Sequence, residues 1–257
     1  MVNNYHKKIS LGNNKFAYEQ TEEFYNRGLS IIEKILKVWR PPNYYFHYQK
    51  GGHLAALKSH ETSNFFTRID LCRFYDKVTK NKIVRSLVKT GLSFKEANEI
   101  AIESVVRTTN GYCLPYGFVQ SSILSSLVLS HSALGKALQN DIKSFKISVY
   151  VDDILISYSG ELSKIRNFSE AVCISAAHSN FPINTVKTEI GKTEITIFNI
   201  NLAQNSKSIA DERLSEFLME IKSTRSDERA DSMIAYVKQV NDSQADLLFS
   251  ARYGRNS

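Results

Sequence analysis

The chain is poor in the residues that mark flexible loops, staples and membrane spans. Its 257 residues include 11 glycines, 4 prolines and 3 cysteines. What remains is the composition of an ordinary globular protein, 42% hydrophobic and 23% charged,. A chain of this length buries a core without cross-links. Cys72, Cys113 and Cys173 are far apart, odd in number and without CxxC spacing. They read as buried thiols of a reducing compartment, neither disulfides nor metal ligands. There is no long apolar run either. The longest, near Ile123–Leu129, is interrupted by serines and far too short to cross a bilayer,. The N-terminus, MVNNYHKKIS, has no apolar signal region,. These absences lead to the expectation of a cytoplasmic protein with no membrane insertion.

Repeats, low-complexity blocks and obvious linkers are missing as well. The net charge is +7, from 33 basic and 26 acidic residues. Residues 203–257 hold 8 of the basic and 9 of the acidic residues, so the whole excess sits in the first 202,. A modest basic excess suits a protein that binds a polyanion.

Apolar spacing predicts a helix over 16–39, ended by Pro41-Pro42,. The run YYFHYQKGGHLAAL has the pattern of a β-hairpin turning at Gly51-Gly52. Residues 64–71 read as a strand ending near Asp70. Helices are expected over 80–90 and 93–108, the second opened by a Ser93/Glu96 capping box. A third helix should run from Gly117 to about Leu138. KISVYVDDILISYS reads as two β-branched strands around a central turn. A helix over 161–179 and strands near 186–190 and 194–202 follow. Two helices close the chain, with Ile209, Leu214, Phe217, Leu218 and Ile221 on one face of the first. Antiparallel hairpins mixed with helices make this an α+β pattern rather than a strict βαβ alternation.

Two places carry acidic residues where strands end. Asp152-Asp153 stands at a hairpin tip between strongly apolar flanks. Two like charges in such surroundings are costly unless a cation compensates. Asp70 ends the apolar strand FFTRID. Each site alone reads equally as a solvated turn or a helix cap. Together they fit phosphoryl transfer, which needs charge neutralisation and in-line alignment rather than covalent chemistry. Two metal ions about 3.5–4 Å apart supply both. Mg²⁺ takes carboxylates together with substrate phosphates and water.

At these residues the sequence resembles the reverse transcriptases. Their first palm motif, an Asp followed after four residues by an aromatic, matches Asp70 through Tyr75. Their Tyr-x-Asp-Asp motif matches Tyr150-Val151-Asp152-Asp153. Between the two, Leu-Pro-x-Gly-x-x-x-Ser matches Leu114 through Ser121. A later lysine matches Lys187, and a strand pair around 197–202 resembles the primer grip. The likeness covers roughly residues 40–202. It implies a right-hand polymerase with an antiparallel-sheet palm, fingers and a short helical thumb, divided into fingers and palm over 1–202 and thumb over 203–257. It implies that Asp70 and Asp152 ligate two Mg²⁺ ions, or Mn²⁺ in their place, with Asp153 beside them and the Leu71 carbonyl assisting. Tyr75 would be the steric gate that excludes a ribose 2′-hydroxyl. Gly117 would let the backbone approach nucleotide and template, and Tyr116 would stack near the nucleotide. Lys187 would neutralise or protonate the departing pyrophosphate. Lys50 and Lys58, beside the expected finger hairpin, would contact the triphosphate.

The pattern departs from the family at Tyr116, where Gln is frequent, and at Ser122, where Pro is usual. Retron-type NAxxH and VTG signatures, a maturase-length tail and an RNase H domain are not found. This points to stand-alone bacterial reverse transcriptases of phage defence, which work with a dedicated structured non-coding RNA. Expected partners are that RNA as template, dNTPs and a DNA product. A thumb of about 55 residues is small for gripping a long duplex, which implies completion by an oligomer, a partner protein or the RNA. Two rivals remain. An RNA-directed RNA polymerase shares the palm but usually has Asp where Tyr75 stands and Asn where Ser122 stands. A non-catalytic RNA-binding scaffold would keep the palm without synthesis.

Overall fold

The computed structural model describes residues 4–12, 14–108 and 111–254. The strands that carry Asp70 and Asp153 lie in a four-stranded antiparallel sheet. Its members are β3 (Phe65–Asp70), β6 (Lys146–Tyr150), β7 (Asp153–Tyr158) and β8 (Glu189–Lys192), in the order β6-β7-β3-β8. Period-two alternation gives this sheet two unlike faces. Ile69, Ile147, Val149, Ile154 and Ile156 point into the main core. There they meet α4 (Lys80–Lys89), α5 (Phe94–Ser104), α6 (Ser121–Ser130), α7 (Ala133–Asn140) and α8 (Leu162–His178). Phe66 and Leu155 point the other way, into a second core. That core holds β9 (Glu194–Ile197), β10 (Ile200–Ala203), β11 (Ser206–Ile209) and the helices α9 (Asp211–Ser223), α10 (Asp227–Lys238) and α11 (Asp242–Tyr253). Each fully buried Ile or Leu contributes about 1.5–3 kcal/mol, so the register of β3 is held from both faces.

Several expectations change in the structure. Residues 16–39 are not one helix. Phe16–Gln20 forms strand β2, which pairs with β1 (Tyr5–Ser10), and α1 covers Glu22–Val38. The break falls at Thr21, whose hydroxyl accepts from the Phe24 N–H at 3.4 Å and caps the helix,. The expected hairpin at Gly51-Gly52 is absent. Phe46–Tyr48 is a 3₁₀ turn, and Gly51, at φ +89°, opens helix α2 (Gly52–His60). The aromatic run serves the core instead: Tyr45 is fully buried, and the Tyr44 carbonyl accepts from the Val149 N–H at 2.7 Å.

The helix expected over 93–108 ends at Ser104 and passes into β4 (Val106–Thr108), which pairs with β5 (Gly111–Cys113). Its Ser93/Glu96 capping box is present. A four-residue helix, α3 (Phe74–Lys77), follows β3. The helix expected from Gly117 to Leu138 is broken between α6 and α7, where Ser132 starts a new cap on the Gly135 N–H at 3.1 Å. The strand expected over 194–202 is the hairpin β9–β10, and three helices follow β11 rather than two. Ile209 belongs to β11, while Leu214, Phe217, Leu218 and Ile221 do share the packed face of α9.

Candidate active site

Strand register brings the acidic residues together. Asp70, the last residue of β3, pairs directly with Asp153, the first of β7. Directly opposed residues on antiparallel strands share a face, with Cβ atoms about 5 Å apart. The β6–β7 connection is two residues long, Val151-Asp152. Only Val151 has positive φ there, at +60°. A positive first corner is the geometry of a II′ hairpin turn, which favours Gly. For a β-branched residue it costs about 1–3 kcal/mol and persists only where neighbours hold it.

Two contacts hold it here. The Asp152 carbonyl accepts from the Leu71 N–H at 3.1 Å. The Val151 N–H donates to His47 Nδ1 at 3.2 Å, which leaves the ring proton on Nε2, 2.9 Å from the Ser126 hydroxyl. Burial holds the His47 pKa down at about 4, so the ring that braces the turn is neutral,.

The carboxylates differ in their surroundings. Burial, and then the charge of Asp153, push the Asp152 pKa up to about 6, and no ion pair to its side chain exists among the described residues. Asp153 is also raised, by burial, against the pull of Arg68. The Arg68 Nη2 lies 3.0 Å from Asp153 Oδ1 and 3.8 Å from Asp70 Oδ1. Lys187 Nζ stands 3.8 Å from Asp70 Oδ1. The loop before β8 wraps the same corner, with the Asn184 N–H donating to the Asp70 carbonyl at 2.8 Å and the Asp70 N–H to the Thr188 hydroxyl at 3.3 Å.

Among the described residues no three His, Cys, Asp or Glu side chains converge into a closed metal cage. That fits Mg²⁺, which binds through one or two carboxylates and completes its shell with substrate phosphates and water. The donor set also fits. Asp70 and Asp152 offer hard oxygen donors of the kind Mg²⁺ takes, and burial, with the Asp153 charge second, raises Asp152,.

Beside the carboxylates the rings of Tyr75 and Tyr116 meet at 4.8 Å between centroids. Burial pushes the Tyr75 hydroxyl up to about 12 and raises Tyr116 as well. The Ser122 hydroxyl lies 3.0 Å from the Tyr48 hydroxyl and also bonds Tyr75. Gly117, at φ +99°, has a role the sequence did not reveal: a Cβ there would collide with the Tyr18 carbonyl on β2. The Tyr18 N–H donates to the Tyr116 carbonyl at 2.8 Å, so the N-terminal hairpin is docked on this segment.

That hairpin brings cations to the site. Lys15 Nζ lies 4.1 Å from the Tyr116 ring centroid, and its charge favours ionised Asp152. Arg73 donates to the Asn14 carbonyl at 3.0 Å and pairs with Asp76 at 2.6 Å. Lys8, Asn14, Tyr18, Arg73, Asp76 and Tyr116 are among the residues around a cleft of about 420 Å³. Lys50 and Lys58 are exposed, in the turn before α2 and on it, and make no ion pair among the described residues. The hairpin they were expected to flank, at Gly51-Gly52, does not form; the hairpin β1–β2 lies much earlier in the chain. Arg68 was findable, because i−2 on a strand shares the face of Asp70.

An antiparallel sheet presenting opposed carboxylates at a hairpin tip, flanked by helices, is the palm of a right-hand nucleic-acid polymerase. A model of the reverse transcriptase (RNA-dependent DNA polymerase) family matches residues 18–202, and the chain belongs to that family. Solved structures share the fold at low identity. Telomerase from Candida albicans, solved with a fragment of telomeric RNA, superposes with a TM-score of 0.56 at 12% identity over 89% of this chain and 47% of that one. A foamy viral protease-reverse transcriptase in complex with double-stranded DNA gives 0.50 at 17% identity, over 89% of this chain and 34% of that one. The RNA polymerase complex inside a dsRNA virus gives 0.53 at 13%, over 96% and 25%. The chain therefore spans less than half the length of each of these structures. No curated protein matches it in sequence. Among the described residues no helix is long and apolar enough to cross a membrane.

Proposed function

We propose that the chain is an RNA-directed DNA polymerase that adds dNTPs to a 3′-hydroxyl by two-metal-ion phosphoryl transfer. The observation that carries this reading is the direct pairing of Asp70 with Asp153, next to Asp152, whose carboxyl is raised and makes no ion pair among the described residues. Asp70 and Asp152, with the Leu71 carbonyl, would hold two Mg²⁺ ions, or Mn²⁺ in their place, with Asp153 beside them. Bound there, the ions supply charge neutralisation and alignment for in-line attack.

The chain's own residues do the rest. Tyr75 packs at a tilt against Tyr116 and closes the space a 2′-hydroxyl would occupy, which selects deoxynucleotides and argues against an RNA polymerase. Lys15 and Arg73, on or beside the docked hairpin, are placed to receive the triphosphate, in preference to Lys50 and Lys58. Lys187 stands over Asp70 where departing pyrophosphate needs a cation or a proton. Residues 1–202 serve as fingers and palm and 203–257 as thumb. The β10–β11 hairpin crosses that boundary. The motif pattern supports the setting of stand-alone bacterial enzymes in antiphage defence, copying a dedicated structured non-coding RNA.

The test is extension of labelled dNTPs by protein purified with its RNA, in Mg²⁺ against EDTA. Asp152→Asn should reduce synthesis by at least about 10²-fold while RNA binding persists. Synthesis by the variant near the wild-type rate would sink the two-metal reading. Sequencing the DNA made would identify the template.

A further inference from the structure

Three acidic side chains stand at the end of the palm sheet, and Arg68 approaches two of them unequally, with its Nη2 3.0 Å from Asp153 Oδ1 and 3.8 Å from Asp70 Oδ1. Arg68 lies two residues before Asp70 on β3, hence on the same face, and diagonally across from Asp153 on β7. Its Nη2 and Nε reach Asp153 Oδ1 at 3.0 and 3.2 Å. Its Nη1 donates to the Thr196 carbonyl on β9 at 2.8 Å. The planar fork is thus anchored at both ends,. Arg68 and Asp153 are 17% and 19% exposed, so water screens the pair weakly. Lys187 differs: it is 58% exposed, 3.8 Å from Asp70, and free to move aside.

We propose that Arg68 is a positioning residue that divides the three carboxylates. It keeps Asp153 as an internal counter-charge tied to β9, and it leaves Asp70 and Asp152 as the pair that faces a divalent cation. This rests on the polymerase reading above and deepens it. Asp153 then serves by offsetting a guanidinium that would otherwise repel an ion beside Asp70. A ligand role and a counter-charge role make the same prediction for Asp153→Asn alone, since either way ion binding weakens. They diverge when both charges are removed together.

The experiment is a Mn²⁺ titration of the full chain, reading free ion by electron paramagnetic resonance, without nucleotide or nucleic acid. Asp152→Asn and Asp153→Asn should each weaken binding more than tenfold. The double variant Arg68→Met/Asp153→Asn should return to within fivefold of wild type. If it stays weaker than that, Asp153 is itself a ligand and the inference is overturned. Arg68→Met alone frees a third carboxylate and should bind Mn²⁺ more tightly than wild type, while Arg68→Lys should bind as wild type does. Should the double variant fail to fold by circular dichroism, that Met-against-Lys contrast decides, and equal affinities overturn the inference. Undiminished binding by Asp152→Asn would instead refute the metal-ion reading itself, and the division of carboxylates with it.

Discussion

Replacing His47 with Phe should loosen the turn that carries Asp152. Phe keeps the ring among its neighbours Tyr45, Tyr48 and Tyr150, with centroids 5.7, 4.1 and 5.8 Å away. It removes the acceptor for the Val151 N–H and the donor to Ser126. An unsatisfied, partly buried N–H costs about 1–3 kcal/mol. The positive φ of Val151 then has one brace left, the Leu71 contact to the Asp152 carbonyl. A displacement of about 1 Å at a metal ligand reduces turnover on the order of 10²-fold.

The pH dependence gives an independent check. His47 is held at about 4 when folded and returns to its ordinary 6.5 when unfolded. Between those values the unfolded chain binds the extra proton. Stability is therefore full above pH 6.5 and falls as the pH drops toward 4, by up to about 3 kcal/mol at about 1.4 kcal/mol per pH unit. His60, fully buried and held at about 3 between the Ser157 and Ser148 hydroxyls, adds a similar slope that the variant keeps. Urea unfolding at pH 7.5, 6.0 and 5.0 should show wild type ahead of the variant at pH 7.5 and the gap closing toward acid. A variant that is as stable as wild type at pH 7.5, loses stability as steeply in acid and keeps full turnover would refute the bracing role.

Tyr75→Ala should raise ribonucleotide incorporation at least tenfold relative to deoxynucleotide, read by gel extension with matched rNTPs; unchanged discrimination would refute the gate. Lys15→Ala should raise the KM for dNTP several-fold with little change in kcat, and a wild-type KM would move triphosphate binding elsewhere. Gly117→Ala should undock the N-terminal hairpin from β2 onward, seen as protease sensitivity within residues 4–20 and a lower melting temperature. Asp152 has a folded-state pKa raised to about 6 from 3.8, so its charge destabilises the fold as the pH rises through that window,. Mg²⁺ should therefore raise the melting temperature more at pH 7.5 than at pH 5, and Asp152→Asn should remove the difference.

The sequence by itself determined the palm. Alternating apolar runs can take only one register when both faces of a strand are buried, because a one-residue slip would turn Asp70 and Ile69 inside out. Short-range signals fared well for the same reason: the Ser93 capping box and the β6–β7 hairpin depend on neighbours in sequence. The N-terminal third was less legible. Phe16–Gln20 and the aromatic run before α2 are short segments whose state depends on distant partners, β1 in one case and Val149 with Ser126 in the other. Tertiary structure decided how the cations reach the carboxylates. Lys15 arrives through a docked hairpin, Arg68 is fastened by a carbonyl on β9, and His47 braces a turn about a hundred residues later. Carboxylates at strand ends are specified by local pattern, but the charges that tune them act through space, and spatial neighbours of high sequence separation leave no periodic trace in the chain.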